Sequence, residues 1–402
     1  MPNSLLTIDM ITRKSLEILE NNLTITRNVN RQYDDSFAQT GAKIGSTLRI
    51  RLPDRALVTD GAALQVQDDN EQYTTLSVSS QKHIGVNFTT AEMTMSLDDF
   101  ADRVLKPRIS QLASSIDADV ASIAYKGISQ TVGTPGTSPA TALVLLQAQQ
   151  KLNEMAVPLD ERYAAVNPAA NAALVNGLSG FFNPQGTISS QFKAGLMGTG
   201  VLGLDEMSMT QSISQFTCGT RTGAHTVTTT VSTQGQSTIN ITGTGAQTLA
   251  VGDVFTVANV YAVNPQTRQS TGSLQQFVVT AANTASGGAY TSVAISPAMY
   301  TADNALATID AFPVAAATVT FVGTASTAYP QNLVYHKNAI AFATADLLLP
   351  QGVDMASRQV HNGISLRIVR QYDINNDRMP CRIDVLYGAS VIRPQMGVRL
   401  WG

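Results

Sequence analysis

Residues 198–203, with the sequence GTGVLG, match the G-x-G-x-x-G pattern of a dinucleotide-binding loop at every position. That loop binds pyrophosphate through the amides at the start of the following helix, so it requires a strand before it and a helix after it. Here FKAGLM precedes the glycines and LDEMSM follows them. No acidic residue stands about twenty positions further on to bind a ribose. The sequence therefore predicts a glycine-rich turn in place of a nucleotide site.

The segment DINNDRMPCRID resembles the start of a calcium loop, because Asp373, Asn375 and Asp377 stand at its first, third and fifth positions. Such a loop needs Gly at the sixth position for its sharp turn and a bidentate Glu at the twelfth. Arg378 and Asp384 occupy those positions, and the flanking residues are strand-like. We interpret the segment as a polar hairpin between two strands.

The remaining ligand-type residues do not follow a known metal pattern. We interpret Asp68, Asp69 and Glu71 in QDDNEQ as a solvated loop tip rather than a cation site. None of the four histidines has a second ligand at the spacing of H-E-x-x-H or C-x-x-C: His83, His225, His336 and His361. Neither a G-x-S-x-G elbow nor a G-x-x-x-x-G-K-[ST] loop occurs. The sequence predicts no enzyme and no catalytic, cofactor-binding or metal site. A catalytic triad assembled from distant residues is the enzymatic alternative that it leaves open.

Composition narrows the function classes further. A chain of 402 residues exceeds the usual size of one hydrophobic core, so we expect two or three folding units. The net charge of −3 comes from mixed signs without a basic stripe, which argues against sequence-specific DNA binding. The N-terminus lacks the apolar core of a secretion signal, and no run approaches the about 18 apolar residues of a membrane span. Cys218 and Cys381 favour intracellular folding with two free thiols, although a single bridge between them is left open.

The clearest organisational signal is an almost uncharged stretch in the second half of the chain. Residues 222–336 contain only four charged side chains, namely Asp253, Arg268, Asp303 and Asp310. Within this stretch, β-branched runs such as STINIT and DVFTVANVYAV alternate with Gly, Asn and Ser clusters. The many large apolar residues argue against a disordered linker. The sequence predicts a small all-β domain inserted into the chain.

The flanking regions predict a mixture of helices and strands. Apolar residues recur at helical spacing through SLDDFADRVLKPRISQLASSIDADVASIAYKGI, with a cap at Ser96 or Asp99 and a kink or break near Lys106 because of Pro107. Further helices are predicted over TALVLLQAQQKLNEM and after Asn167. STLRIRLP and YTTLSVSSQKHIGVNFTTAEMTM alternate like strands, and ISLRIVRQYD and MPCRIDVLYG predict an antiparallel pair. The body is therefore α+β.

The N-terminal residues predict an arm. A short helix in IDMITRKSLEIL leads into a stretch with few large apolar residues from Asn28 to Thr47. Such a stretch cannot form a core by itself, so we expect it to lie across a neighbouring subunit. Two non-enzyme classes fit these features. One is a β-rich surface or fibre-type binding protein, and the other is a self-assembling structural subunit. The single β insert, without repeats or a secretion signal, favours the second.

The order of these parts resembles the major capsid (coat) protein of tailed bacteriophages, with the Hong Kong 97-like fold. Specifically, it is similar to the short-tailed phage coat proteins that carry an inserted β domain. The resemblance spans nearly the whole chain, through these segments: IRLPDRALVTDG, LDDFADRVLKPRISQLASSIDADVASIA, RYAAVNPAANAALVNGLSGFFNP, GTGVLGLDEM, LAVGDVFTVANVYAVNPQT and CRIDVLYGASVIRPQMGVRL. The last segment is the most specific, with its strand, Tyr-Gly and Arg-Pro close to the end. Relatives often carry a long charged loop between the first insert strands, whereas only STQGQS stands here.

The resemblance implies an order of six parts along the chain. We expect an N-terminal arm (1–40), an extended loop with flanking strands (41–95), a spine helix of the peripheral domain (96–130), the first part of a central domain (131–222), an inserted β domain (223–329), and the central remainder with C-terminal strands (330–402). HTVTTTVSTQGQSTINITGTG becomes the first hairpin of the inserted barrel.

The resemblance also implies a function without catalysis. Many copies are expected to form hexamers and pentamers in an icosahedral shell that encloses double-stranded DNA without sequence-specific binding. Scaffolding protein and portal protein are the expected further partners, with no membrane. Assembly is expected in the host cytoplasm, and the mature location is the virion.

Overall fold

The structure is a computed structural model that describes residues 8–32, 46–59, 61–62, 64, 66, 71–88, 105–177, 198–374 and 379–402. The α-helices in these ranges are α1 (Ile8–Asn22), α2 (Lys106–Gly127), α3 (Ala142–Glu154) and α4 (Pro168–Gly177). The strands are β1 (Ser46–Arg51), β2 (Tyr73–Val78), β3 (Ser80–Phe88), β4 (Thr131–Val132), β5 (Arg162–Val166), β6 (Gly198–Val201), β7 (Leu204–Met209), β8 (Gln215–Thr217), β9 (His225–Thr226), β10 (Gln236–Thr242), β11 (Thr248–Leu249), β12 (Val254–Val263), β13 (Ser270–Val279), β14 (Asn283–Thr284), β15 (Ala289–Met299), β16 (Thr318–Phe321), β17 (Ala328–Pro330), β18 (Asn332–His336), β19 (Ile340–Thr344), β20 (Met355–His361), β21 (Ile364–Arg370), β22 (Met379–Val391) and β23 (Gly397–Leu400). The α+β class is confirmed.

The chain divides into two compact units. The first comprises Met1–Ile50, Tyr73–Val120 and Ile340–Ser390, and the second comprises Arg51–Gln72, Ala121–Ala339 and Val391–Gly402. Among the helices of the described ranges, none combines the length and hydropathy needed to cross a bilayer.

The first unit is built on an antiparallel sheet in the order β19-β22-β21-β20, with β3 also paired to β22. The predicted pairing of β21 with β22 is confirmed. The spine helix α2 spans Lys106–Gly127, so Pro107 and the predicted kink or break near Lys106 fall at its N-terminal limit. Its predicted apolar stripe is buried at Ile109, Leu112 and Ile116. Ser96 and Asp99 lie outside the described residues.

The predicted N-terminal helix forms and packs within its own chain. The expectation that the stretch from Asn28 to Thr47 lies across a neighbour stays a prediction, because most of that stretch is outside the described residues. In residues 8–30, helix α1 packs on β20 and β21 of its own chain, and Leu19 and Ile25 are fully buried. Asn30 then forms a parallel bridge with Ala341. The physical reason is that the apolar side chains of the short helix find a partner face on this chain's own sheet. Residues 33–45 lie outside the described part.

The central part of the second unit is a six-stranded mixed sheet in the order β4-β23-β18-β5-β7-β6. Helices α3 and α4, both predicted, supply Leu145, Leu152 and Leu174 to the core on this sheet. Asn167 caps α4, because its Oδ1 accepts the Ala170 N–H at 2.8 Å.

The inserted part is all-β, as predicted. Its six-stranded sheet runs β10-β15-β13-β12-β16-β9, and an antiparallel bridge from Val227 to Ile241 joins the two edges into a barrel-like closure. The inside is a private apolar core of strand residues that includes Ile239, Phe255 and Phe277. In β10 the buried Ile239 and Ile241 alternate with Thr and Asn, so this strand packs on one face and meets solvent on the other.

The predicted first hairpin of the insert forms only in part, through the antiparallel bridge between Val227 and Ile241. Only His225 and Thr226 of the first Thr-rich run form a strand, and β9 pairs with β16 rather than with β10 in a ladder. Val227 near the start of HTVTTTVSTQGQSTINITGTG and Ile241 near its end form an antiparallel bridge that closes the barrel. The reason is that the barrel is complete only when its first strand, β9, pairs with its last strand, β16.

Candidate assembly surfaces

The glycine-rich segment forms a turn, as predicted. Residues 198–203 form β6 and the start of a tight hairpin to β7. Leu202 and Gly203 occupy the left-handed region with φ values of 52° and 78°, which is the geometry of a two-residue type I′ turn. A strand follows the glycines, so no helix N-terminus stands there to hold a pyrophosphate.

The calcium-like segment is flanked by the strands β21 and β22, as predicted, while residues 375–378 lie outside the described part. Asp384 is fully buried in the sheet and forms ion pairs with Arg367 at 2.7 Å and Arg382 at 2.6 Å. Two guanidinium groups therefore already neutralise this carboxylate. Asp68 and Asp69 also lie outside the described residues.

The histidines and cysteines sit in separate structural environments. Among the described residues, no group of three His, Cys, Asp or Glu side chains is placed to hold a metal ion. His225 is buried and its Nδ1 lies 2.8 Å from the Thr242 carbonyl oxygen, whereas His361 faces Glu20 at 3.5 Å. Both cysteines are free and buried. Burial raises the pKa of Cys381 to about 12 and also raises the pKa of Cys218, so neither thiol is a ready nucleophile.

The extended loop carries exposed apolar side chains. Its base is closed by the Leu52 N–H donated to the Gln72 carbonyl at 2.8 Å and by an ion pair of 3.1 Å between Arg51 and Glu71. Beyond this base, Val58, Leu64 and Val66 are 83%, 89% and 85% exposed. Apolar groups that cluster on one exposed segment are typical of a surface that contacts another molecule. We call the described residues of this loop the loop surface: 52–59, 61–62, 64, 66 and 71–72.

A second exposed apolar segment follows β19, and the sequence reasoning missed it. Leu348 is 80% exposed, and its carbonyl accepts a 2.6 Å hydrogen bond from Arg367 Nη1. Arg358 pairs with Asp346 at 3.3 Å and holds the start of the same segment. The run LLLP was the available signal, because such a run outside any strand or helix has no internal core to enter.

The inserted barrel is attached to the central sheet through Gln276 of β13. Its Oε1 accepts the Thr131 N–H at 2.7 Å and Lys151 Nζ at 2.9 Å, and its Nε2 donates to Thr131 Oγ1 at 2.8 Å. Burial lowers the pKa of Lys151 to about 8, with the opposing charge of Glu154 as the smaller influence. Asn264 adds a 2.6 Å hydrogen bond to the Glu154 carbonyl.

A buried arginine strengthens this attachment. Arg399 of β23 donates from Nη1 to the Gly252 carbonyl at 2.8 Å, and from Nε and Nη2 to the Ile128 carbonyl at 2.9 and 2.7 Å. Burial lowers the pKa of Arg399 to about 9. One side chain therefore connects the insert, the end of the spine helix and the C-terminal strand. The second unit thus combines a buried polar attachment of the insert with an exposed apolar loop.

Comparison with known proteins agrees with this picture. A family profile described as "P22 coat protein - gene protein 5" matches residues 3–402. A protein named "Major capsid protein" from Acyrthosiphon pisum secondary endosymbiont phage 1 is 20% identical over 98% of this chain and 97% of its own length.

Three solved structures with a likeness to the chain are a phage chain, a phage capsid and a coat protein domain. A chain of Mycobacterium phage Che8 is 12% identical, covers 94% of this chain and 90% of its own length, and has a TM-score of 0.43. The capsid structure of cyanophage P-SCSP1u is 11% identical over 90% of this chain and 84% of its own, with a TM-score of 0.42. The CUS-3 coat protein I-domain is 28% identical over 26% of this chain and 98% of its own, with a TM-score of 0.20. Because the family profile covers nearly the whole sequence, the chain belongs to the P22 coat protein family, and it is a major capsid protein of a bacteriophage head shell.

Proposed function

We propose that copies of this chain form hexamers and pentamers that close into an icosahedral shell around double-stranded DNA, in the cytoplasm of a bacterial host. An internal scaffolding protein guides this assembly, and a portal protein joins the shell. The role is structural and involves no catalysis. The observation that carries the proposal is the loop surface, with Val58, Leu64 and Val66 in solvent.

The energetics of that surface favour assembly. Full burial of one such side chain contributes about 1.5–3 kcal/mol, so three side chains per copy contribute several kcal/mol before the ordering cost of the loop. Each contact is modest, but a closed lattice repeats it at every copy. Subunits can therefore correct their positions while the finished shell stays closed.

The charge of the chain fits a container. Its formal net charge of −3 means that the subunit as a whole does not attract the phosphate backbone strongly. The shell wall then encloses DNA without binding a particular base sequence.

The test is a polar triple variant, Val58→Ser with Leu64→Ser and Val66→Ser. We expect a monomer with the thermal transition of the native chain and no closed shells by sedimentation and electron microscopy. Leu159→Ser is the matched control, because Leu159 is also 75% exposed but lies outside the loop surface. Closed shells of the triple variant at the native yield contradict the role of the loop surface. Filaments formed by the native chain contradict the shell itself.

A further inference from the structure

A cleft at the base of the loop surface contains two arginines. The cleft has a volume of about 360 Å³ and is lined by Arg55 from the loop base and Arg393 from the segment before β23. Tyr300 and Leu306 of the insert and Met155 and Met396 complete its apolar walls. All of these residues belong to the second compact unit.

Neither guanidinium is neutralised within the described part of the chain. Among those residues, the side chains of Arg55 and Arg393 form no hydrogen bond and no ion pair, and Asp54, which also lines the cleft, pairs with neither. The pKa of Arg55 lies below its usual value because the group is desolvated, and the charge of Arg393 lowers it further. Two like charges that share a partly dry cleft favour an anionic occupant.

We infer that this cleft binds an acidic side chain, with apolar neighbours, from a second copy of this chain in the shell. The inference rests on the proposed function. Guanidinium groups match the planar carboxylate, and the apolar walls require an occupant with apolar groups beside its charge. Arg55 lies three residues before Val58, so the cleft is continuous with the loop surface that assembly covers. A partly enclosed apolar cleft suits a side chain better than a DNA backbone, which binds along exposed basic stripes.

The first experiment measures assembly of the double variant Arg55→Gln with Arg393→Gln. We expect the native thermal transition and a shell assembly rate lowered by about tenfold at low salt, with less salt dependence than the native chain shows. Arg13→Gln is the control, because it removes one exposed cation on α1 that does not line the cleft. Native assembly rates and salt dependence in the double variant overturn the inference.

The second experiment identifies the occupant. Arg55→Lys keeps the charge and supplies an amine, which a carbodiimide joins to a touching carboxylate as an amide with loss of water. We expect shells of this variant to yield crosslinked dimers, with residue 55 joined to an acidic residue of another copy in the peptide map. A crosslink to scaffolding protein, one confined to a single chain, or none in complete shells overturns the second-copy assignment. If the native chain forms no shells in either experiment, the proposed function fails, whereas native shells with unaffected variants reject only the cleft.

Discussion

Arg221 and Asp253 form a buried ion pair, with Arg221 Nη1 lying 2.7 Å from Asp253 Oδ1 at the point where the chain enters the inserted barrel. The same carboxylate accepts the N–H groups of Ala250 at 2.8 Å and Gly219 at 3.2 Å. Arg221 also donates from Nη2 to the Val322 carbonyl at 2.9 Å. The pair therefore connects the segment before the barrel with the turn before β12 and with the residue after β16. Burial raises the pKa of Asp253, and the charge of Arg221 opposes that shift.

Asp253→Asn is expected to destabilise the chain strongly. The amide leaves the guanidinium of Arg221 buried without its counter-ion, and breaking such a pair costs about 3–5 kcal/mol. Urea unfolding of the full chain, followed by circular dichroism, measures the loss. Asp303→Asn is the matched control, because Asp303 is exposed in the same domain, and it should stay within about 0.5 kcal/mol of native. Equal midpoints for the two variants contradict the structural role of the pair.

The inserted domain is expected to fold when excised. Residues 223–329 contain a private core, but they omit Arg221 and the pairing of β8 with β17. We therefore expect the fragment 215–331 to show a cooperative thermal transition at a higher temperature than the fragment 223–329. Circular dichroism and amide exchange distinguish the two fragments. A random-coil spectrum from the longer fragment rejects the independent domain.

Removal of residues 1–40 is expected to abolish folding of the first unit. An arm that only crosses a neighbour would leave a folded monomer that cannot form shells, but α1 buries Leu16 and Leu19 against its own sheet. The truncated chain should be insoluble or lack the cooperative transition of the native chain. A soluble monomer with an intact transition restores the arm interpretation.

Asp117→Asn tests the same segment more gently. Its carboxylate accepts four hydrogen bonds of 2.6–3.0 Å, from the N–H and hydroxyl groups of Thr24 and Thr26. An amide accepts through only one oxygen, so we expect a loss of about 1–3 kcal/mol and faster proteolysis within residues 8–32. The Glu17→Gln variant, changed at an exposed position on α1, should be cleaved by the protease at the native rate. Equal cleavage rates for both variants reject Asp117 as the anchor.

Ile116→Asp is expected to prevent normal folding or assembly. Ile116 is 1% exposed on the spine helix, and an unpaired carboxylate there costs several kcal/mol. Ser114→Asp places the same charge on an exposed position of that helix and should leave the solubility and the free energy of unfolding near native. Soluble, normally assembling Ile116→Asp particles are the contradicting result.

Stability is expected to depend on pH through Lys151. Because its folded pKa is about 8, the unfolded chain binds more protons between pH 8 and the ordinary lysine value near 10.5. The contribution of this group to the free energy of unfolding therefore rises with pH across that window, by at most about 3 kcal/mol. Urea unfolding of Lys151→Met should show a stability advantage over native at pH 7 that shrinks by pH 10. Lys126→Met, at an exposed position, controls for loss of a charge. The prediction is contradicted if the difference in free energy of unfolding between Lys151→Met and the native chain stays constant from pH 7 to pH 10.

Local patterns in the sequence were sufficient to predict helices, one strand pair and the inserted β domain. Apolar spacing located α2, α3 and the pairing of β21 with β22, because side-chain periodicity follows the period of each element. The loss of charge over residues 222–336 indicated the inserted β domain, since a strand core excludes charge. The order of these parts was sufficient to indicate the family.

Only the tertiary structure decided which partners the segments choose. Apolar spacing predicted the helix α1, but only the structure shows that β20 and β21 of its own chain offer the apolar face on which it lies. Likewise, β9 pairs with β16, about ninety residues away, because closing the barrel satisfies both edges. The meeting of Arg221 with Asp253, and of Arg55 with Arg393 in one cleft, also depends on long-range folding. A sequence carries the chemistry of such groups, but their desolvation and their partners exist only when distant segments pack together.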